Sequence, residues 1–200
     1  MMRALTPIDA APVRTSSIVR LGSPSRAAAS GALFVSGDRA EEGIFRQLPV
    51  FDNLIATRLK QRARFGVLSR KSLRREAARL AETSGIDARR LASQADTLSG
   101  GNQQKIAFAR CLQRDNTSAL LLNEPTRGVD VGARAEIYRL VRSFCDQGYG
   151  VVMASSDLEE VLGLSDIVLT FYRGRVVGLY LRGQADMGRM LADITHPVAA

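Results

Sequence analysis

Leu98-Ser99-Gly100-Gly101-Asn102-Gln103-Gln104-Lys105, LSGGNQQK, stands just ahead of a run with helical spacing, Ile106 to Arg114. Two adjacent glycines let the main chain come close to a ligand. The N–H groups of a helix start, with the Ser99 hydroxyl beside them, suit an anion such as a phosphate. A serine before two glycines occurs in many loops, so these residues alone decide little. Their company decides more: an apolar strand over Ala119 to Leu122 runs straight into Asn123-Glu124-Pro125-Thr126-Arg127-Gly128-Val129-Asp130.

LSGGNQQK followed at that distance by LLLNEPTRGVD resembles the signature motif, Walker B and D-loop of ATP-binding cassette (ABC) ATPases. More narrowly, it is similar to the second nucleotide-binding half of the ATPase subunit of bacterial monosaccharide importers of the ribose, galactose and xylose type. The resemblance implies an α/β fold of the ABC nucleotide-binding type, a parallel sheet with flanking helices and a helical subdomain. It also implies ATP and Mg²⁺ as ligands. The implied partners are a second ABC nucleotide-binding domain, transmembrane permease subunits and, indirectly, a periplasmic sugar-binding protein. The implied place is cytoplasmic, peripheral on the inner face of the bacterial cell membrane. Roughly Ile8 to Leu181 takes part, which divides the chain into an unassigned 1–7, a partial ABC domain over 8–181 with its helical subdomain near 46–97, and a tail over 182–200.

Outward toward the N-terminus, Ser69 to Thr83 reads as a helix with Leu73, Ala77 and Leu80 on one stripe and Arg74, Arg75 and Arg79 away from it, stopped by Gly85. That basic face is either a solvated surface or, in the resembled family, one turned toward the transmembrane subunits. Leu48 to Leu59 is a second helical pattern, with Asp52 as its expected N-cap. Lys71-Ser72 is no phosphate loop: Gly66 lies five residues before Lys71, but Arg70 occupies the place of the second glycine. Further back come a short strand around Pro12 to Val13, a Ser/Pro/Gly loop, an alanine-rich helix and a buried strand at Ala32 to Val35. Ser36-Gly37-Asp38-Arg39 then falls on the family's Q-loop position. Gly37 stands where the family has a polar side chain, which puts that contact in doubt; Asp38 and Arg39 are retained, and a surface turn pair explains them as well.

Toward the C-terminus, Asp130 caps an expected helix from Val131 to Gln147 with Ile137, Leu140, Val141 and Phe144 inward, stopped by Gly148. A strand follows at Gly150 to Ala154, then Ser155-Ser156-Asp157 and a short acidic helix. Most ABC ATPases carry a γ-phosphate-contacting histidine where Ser156 stands; the sugar-importer branch often has serine there. Strands at Ile167 to Tyr172 and Arg175 to Tyr180 close the pattern around an Arg173-Gly174 turn, and Gln184 to Ala200 reads as a weakly patterned tail. Alternation of strands and helices argues an α/β sheet.

The resemblance makes Glu124 the catalytic candidate, polarising the attacking water. Asn123 replaces the usual metal-orienting aspartate and keeps an oxygen without the charge, a weak magnesium contact. Ser99, Gly100, Gly101, Asn102, Gln103, Asp130 and Ser156 are the nucleotide-contact candidates, with Asp130 equally a helix cap. GxxxxGK[ST], the backbone cradle and lysine that hold phosphates, occurs nowhere in the sequence. The expectation is a cassette truncated before Walker A, whose family hydrolyses ATP while the chain alone is inactive. It is either an ATP-binding subunit (or fragment of one) that couples ATP binding and hydrolysis to sugar uptake, or an inactive cassette lending its signature to a partner. A third reading is a soluble nucleic-acid-associated ABC protein.

Bulk composition narrows these. Two hundred residues with 46% hydrophobic content suit one domain or most of one. The net charge of +8 is spread over helical faces without the aromatic interleaving of a single-strand binder, so no nucleic-acid partner is expected. NQQK and Ser156 also favour the importer branch. Cys111 and Cys145 lie in helical patterns with no CxxC or metal spacing and read as reduced. His196 is expected to be exposed and idle. No apolar run approaches the roughly 20 residues needed to span a bilayer.

Overall fold

The computed structural model describes residues 23–59, 68–111 and 117–196. In chain order the elements are α1 (Pro24–Ala29), β1 (Ala32–Ser36), α2 (Val50–Ile55), α3 (Arg70–Thr83), α4 (Gly100–Cys111), β2 (Ala119–Asn123), α5 (Val131–Asp146), β3 (Gly150–Ala154), α6 (Leu158–Leu164), β4 (Ile167–Tyr172), β5 (Arg175–Leu181) and α7 (Met187–Thr195), with a π-helical turn over Arg39–Gly43. They form two compact units, Met1–Val152 and Met153–Ala200. The strand expected around Pro12 to Val13, the far end of the Ile106 to Arg114 run and Gly66 lie outside the described residues. Among the described residues, no helix is long and apolar enough to cross a membrane.

Helix α4 organises the first unit. Gln104 to Ala109 are all buried, so every side of this stretch needs a neighbour. The neighbours are β1, α2, α3, α5 and the π-helical turn. Its end is tied down by Arg110, which donates to the Gly43 carbonyl at 2.6 Å and lies over the Phe45 ring at 5.1 Å. Burial holds the Arg110 guanidinium below its ordinary pKa. The three-stranded sheet runs in the order β1-β2-β3. β1 and β2 are parallel, in a register from Ala32 opposite Ala119 to Ser36 opposite Asn123. Register therefore carries Gly37 level with Glu124 as both strands end.

The helical part joins α2 and α3 through Ile55, Leu73 and Ala77, with Phe51 and Leu91 against them. Arg74, Arg75 and Arg79 are exposed as the stripe requires. The start of α2 differs from expectation. It begins after Pro49, and Asp52 sits inside the first turn without acting as N-cap. The amides of Val50 and Phe51 are taken by the carbonyls of Ser93 and Leu91, both at 2.9 Å. Tertiary acceptors thus replace a side-chain cap. The loop before it is held by the fully buried Asn53, whose amide accepts from Phe45 N–H at 2.8 Å and donates to the carbonyls of Phe45, Leu48 and Pro49.

In the second unit β4 and β5 pair antiparallel, with an irregularity between Thr170 and Phe171. α7 lies on this hairpin. It occupies residues read from sequence as a weakly patterned tail, capped by Asp186, whose side chain accepts from the Arg189 amide. Met190 is its buried anchor.

Candidate functional site

The N-terminus of α4 carries five of the candidate residues. Ser99 is exposed and its main-chain carbonyl accepts the Gln103 N–H at 2.9 Å. Asn102 donates through Nδ2 to Ser99 Oγ at 3.1 Å, which leaves the serine proton to donate outward. Gln103 turns its amide back to the Leu98 carbonyl at 2.9 Å, so this side chain fastens the turn. Lys105 is buried, donating to the Gly85 carbonyl at 3.0 Å and paired with Glu136. Its charge is neutralised inside the fold.

Sequence reading gives the two glycines to an approaching ligand. Their own surroundings give a second reason, close packing. A Cβ at Gly101 would run into the Cβ of Ala133 on α5, and one at Gly100 would stand 2.8 Å from the Gly128 carbonyl oxygen. Gly101 is buried. The pair therefore lets α4 dock on α5 and on the loop before it, and the side of the helix start that remains accessible is that of Ser99.

Asn123 ends β2 and is exposed. Glu124 follows, half-buried, in the left-handed region at φ 48°, an uncommon conformation for a residue with a side chain. Space for it is made by Gly37: a Cβ there would lie 2.5 Å from the Glu124 carbonyl oxygen, 2.9 Å from that of Asn123 and 2.9 Å from Glu124 Cβ. The polar side chain expected of the family at this place has no room in this arrangement.

At the far end of the loop Asp130 caps α5, its Oδ1 accepting the Ala133 N–H at 2.9 Å. Ala133 is the residue under Gly101, so the cap and the signature glycine meet on one side chain. Arg39 binds the middle of the loop. Its Nη1 donates to the Arg127 carbonyl at 2.8 Å, its Nη2 to that of Gly128 at 3.4 Å, and Nη1 also faces Gln104 Oε1 at 3.5 Å. Desolvation lowers the Arg39 pKa, partly opposed by Asp38. The sequence offers Asp38-Arg39 as a retained family pair or a surface turn and gives no sign of this role beyond the departure at Gly37.

Ser156 belongs to the second unit and is exposed. Its neighbours are ordered locally: Ser155 Oγ donates to Glu160 Oε2 at 2.6 Å, and Asp157 caps α6 at the Glu160 amide. A cavity of about 450 Å³ lies elsewhere in the first unit, between α1, β1 and Arg110, and its lining includes none of the candidate residues.

The family model described as ABC transporter matches residues 28–127. The ribose import ATP-binding protein RbsA 2 of Rubrobacter xylanophilus is 40% identical over 174 residues, 87% of this chain and 33% of its own length. The ribose import ATP-binding protein RbsA of Rhodococcus jostii is 37% identical over 182 residues, 91% of this chain and 36% of its own. The chain thus spans about a third of the length of these relatives. Among solved structures, an ATP-binding cassette dimer in a post-hydrolysis state bound to ADP and Pi superposes with a TM-score of 0.63 at 21% identity, covering 76% of this chain and 63% of that one. An ADP-bound cassette of an ABC transporter gives 0.65 at 17% identity over 87% and 68%. These two likenesses concern the fold. Since the family model spans residues 28–127, half of the sequence and the segment that carries both LSGGNQQK and LLLNEPT, the chain belongs to the ABC transporter family.

Proposed function

We propose that this chain is an ATP-binding subunit, or a fragment of one, of a carbohydrate ABC importer that couples ATP binding and hydrolysis to sugar uptake. The observation that carries the reading is the start of α4, where exposed Ser99 and half-buried Asn102 stand at a helix N-terminus packed against the loop that follows Glu124. The names of the ribose-import relatives supply the substrate class. Its partners in this reading are a second cassette, permease subunits and, through them, a periplasmic sugar-binding protein. It would work on the cytoplasmic face of the membrane, with no nucleic acid involved.

The nucleotide supplies a labile γ-phosphoryl group; the chain's residues bind and orient it. With a nucleotide bound, Ser99 O–H and the first N–H groups of α4 would donate to phosphate oxygens, each charge-assisted bond contributing roughly 1.5 to 3 kcal/mol. Glu124 is the group to accept a proton from the attacking water. Asn123 and Glu124 do not by themselves make a magnesium site: one oxygen is a neutral amide, and among the described residues no group of three His, Cys, Asp or Glu could hold a metal ion. The sequence also lacks the GxxxxGK[ST] cradle. In this reading the signature end faces, in trans, a nucleotide held by the partner's cradle.

The test is ATP hydrolysis by a partner cassette with its own phosphate loop and a disabled signature, titrated with this chain. The unaltered chain restores turnover, and Ser99→Glu, which sets a carboxylate against the phosphate, does not. No restoration, or equal restoration by both, overturns the proposal. By itself the chain shows no ATPase above background; steady turnover abolished by Glu124→Gln would overturn that part.

A further inference from the structure

We propose that Arg39 is a positioning residue that locks the signature end of α4 and the Glu124 to Asp130 loop into one rigid surface. Its guanidinium fork closes on two consecutive main-chain carbonyls, Arg127 at 2.8 Å and Gly128 at 3.4 Å. The planar fork is what allows one side chain to hold both, and a lysine ammonium has no such geometry. Two glycines border the guanidinium. Gly128 sits at φ 66°, and a Cβ there would be 3.2 Å from Arg39 Nη2. A Cβ at Gly100 would be 3.4 Å from the same nitrogen and 2.8 Å from the Gly128 oxygen. Signature glycine, loop glycine and guanidinium thus pack against one another.

Gln104 adds a directional argument. It is fully buried, and its Oε1 faces Arg39 Nη1 at 3.5 Å while its Nε2 finds no partner among the described residues. Reversing the amide would set two donors against each other, so the guanidinium favours this orientation. The loop is held at its other end by Asp130, whose cap on Ala133 lies beneath Gly101. Ser36 and Gly37, three and two residues before Arg39, run level with Asn123 and against Glu124. Displacement of the 36–39 segment therefore moves the catalytic candidate, the loop and the signature end as one body.

The role in turnover rests on the importer reading, whereas the mechanical role does not, and the experiment separates them. Hydrogen exchange is followed by mass spectrometry in the full chain, unaltered and as Arg39→Met and Arg39→Lys. The proposal expects Arg39→Met to raise exchange at least about tenfold in both 99–104 and 124–130, the loss of one or more charge-assisted hydrogen bonds, with α3 unchanged. Arg39→Lys recovers protection in one segment at most. In the partner-cassette titration, Arg39→Met lowers the maximal rate about tenfold while the half-maximal concentration moves less than about twofold. Unchanged exchange in both segments, or an equal rise in α3, overturns the positioning role. If the unaltered chain restores no turnover, the importer reading falls and the exchange result alone decides Arg39.

Discussion

Gly37 and Glu124 occupy space that only one side chain can fill: a Cβ at 37 would stand 2.5 Å from the Glu124 carbonyl oxygen, and Glu124 itself is at φ 48°. The strained glutamate and the bare glycine belong together. Gly37→Ala is expected to cost about 1 to 3 kcal/mol, the usual range for overpacking without relaxation. Urea unfolding measures this, and a loss under about 0.5 kcal/mol would mean that the two strand ends are looser than described.

The helical part contains a charge pair removed from water. Arg58 Nη1 and Glu76 Oε1 are 2.8 Å apart, with side chains 3% and 5% exposed. Removing one partner breaks a buried charge pair, so Glu76→Ala should destabilise by about 3 to 5 kcal/mol, whereas Arg58→Met with Glu76→Leu should recover most of it. A double variant as unstable as the single one would contradict this.

How much of this was legible in the sequence follows from how far each signal reaches. α5 declares itself within its own span, because Asp130 caps it and Gly148, at φ 84°, follows its end. β2 and α4 are flagged by a short apolar run and by the glycine pair. α7 carried a readable signal that the tail reading passed over: Asp186 as cap, then Met187, Met190, Leu191 and Ile194 at helical spacing. Beyond the departure at Gly37 nothing local flags the Arg39 fork, since its acceptors lie 88 and 89 positions away and are main-chain atoms with no residue signature. The same holds for α2, whose start is fixed by Ser93 and Leu91 carbonyls and not by a local cap.

Asp193 ties α7 to the hairpin, accepting from Thr170 Oγ1 and Tyr180 Oη, both at 2.6 Å. These two hydrogen bonds hold its pKa below the ordinary 3.8. A depressed carboxylate contributes stability that is complete above its unfolded pKa and is lost as pH falls through the folded one. The attachment should therefore persist to below the ordinary carboxylate range and loosen at still lower pH. Asp193→Asn should abolish this acid-limb dependence, readable as tyrosine fluorescence against pH. An unaltered acid limb in the variant would remove Asp193 as its source.

The second unit exposes much apolar surface on one hairpin face. Ile167, Leu169 and Phe171 of β4 pair with Leu181, Leu179 and Val176 of β5, and all six are exposed. Contiguous apolar surface of this kind binds partners or reporter dyes. The purified chain should enhance the fluorescence of a hydrophobic dye, and Leu169→Thr with Leu179→Thr should reduce it by roughly half or more. No enhancement from the unaltered chain would show that this face is covered in solution.

Gly101 is the residue at which packing and ligand contact are hardest to tell apart, and the structure decides how each can be probed. The family resemblance suggests that a bulky residue there would block an approaching phosphate and leave the fold intact. Gly101 is instead buried, and an added Cβ would collide with that of Ala133, whose own amide is pinned by Asp130 at 2.9 Å. Alanine has no rotamer that could relieve the strain and its amide is held by the cap, so the strain must part α4 from α5. Gly101→Ala should therefore cost about 1 to 3 kcal/mol of folding stability. Adding Ala133→Gly removes the obstructing methyl and should return most of it, apart from the roughly 0.5 to 1 kcal/mol by which glycine weakens a helix interior. Coupling between the two substitutions, read from urea unfolding of both single variants and the double one, is the deciding quantity. If the two effects simply add, α4 and α5 are not in contact at this point, and the glycine is free to serve a ligand alone.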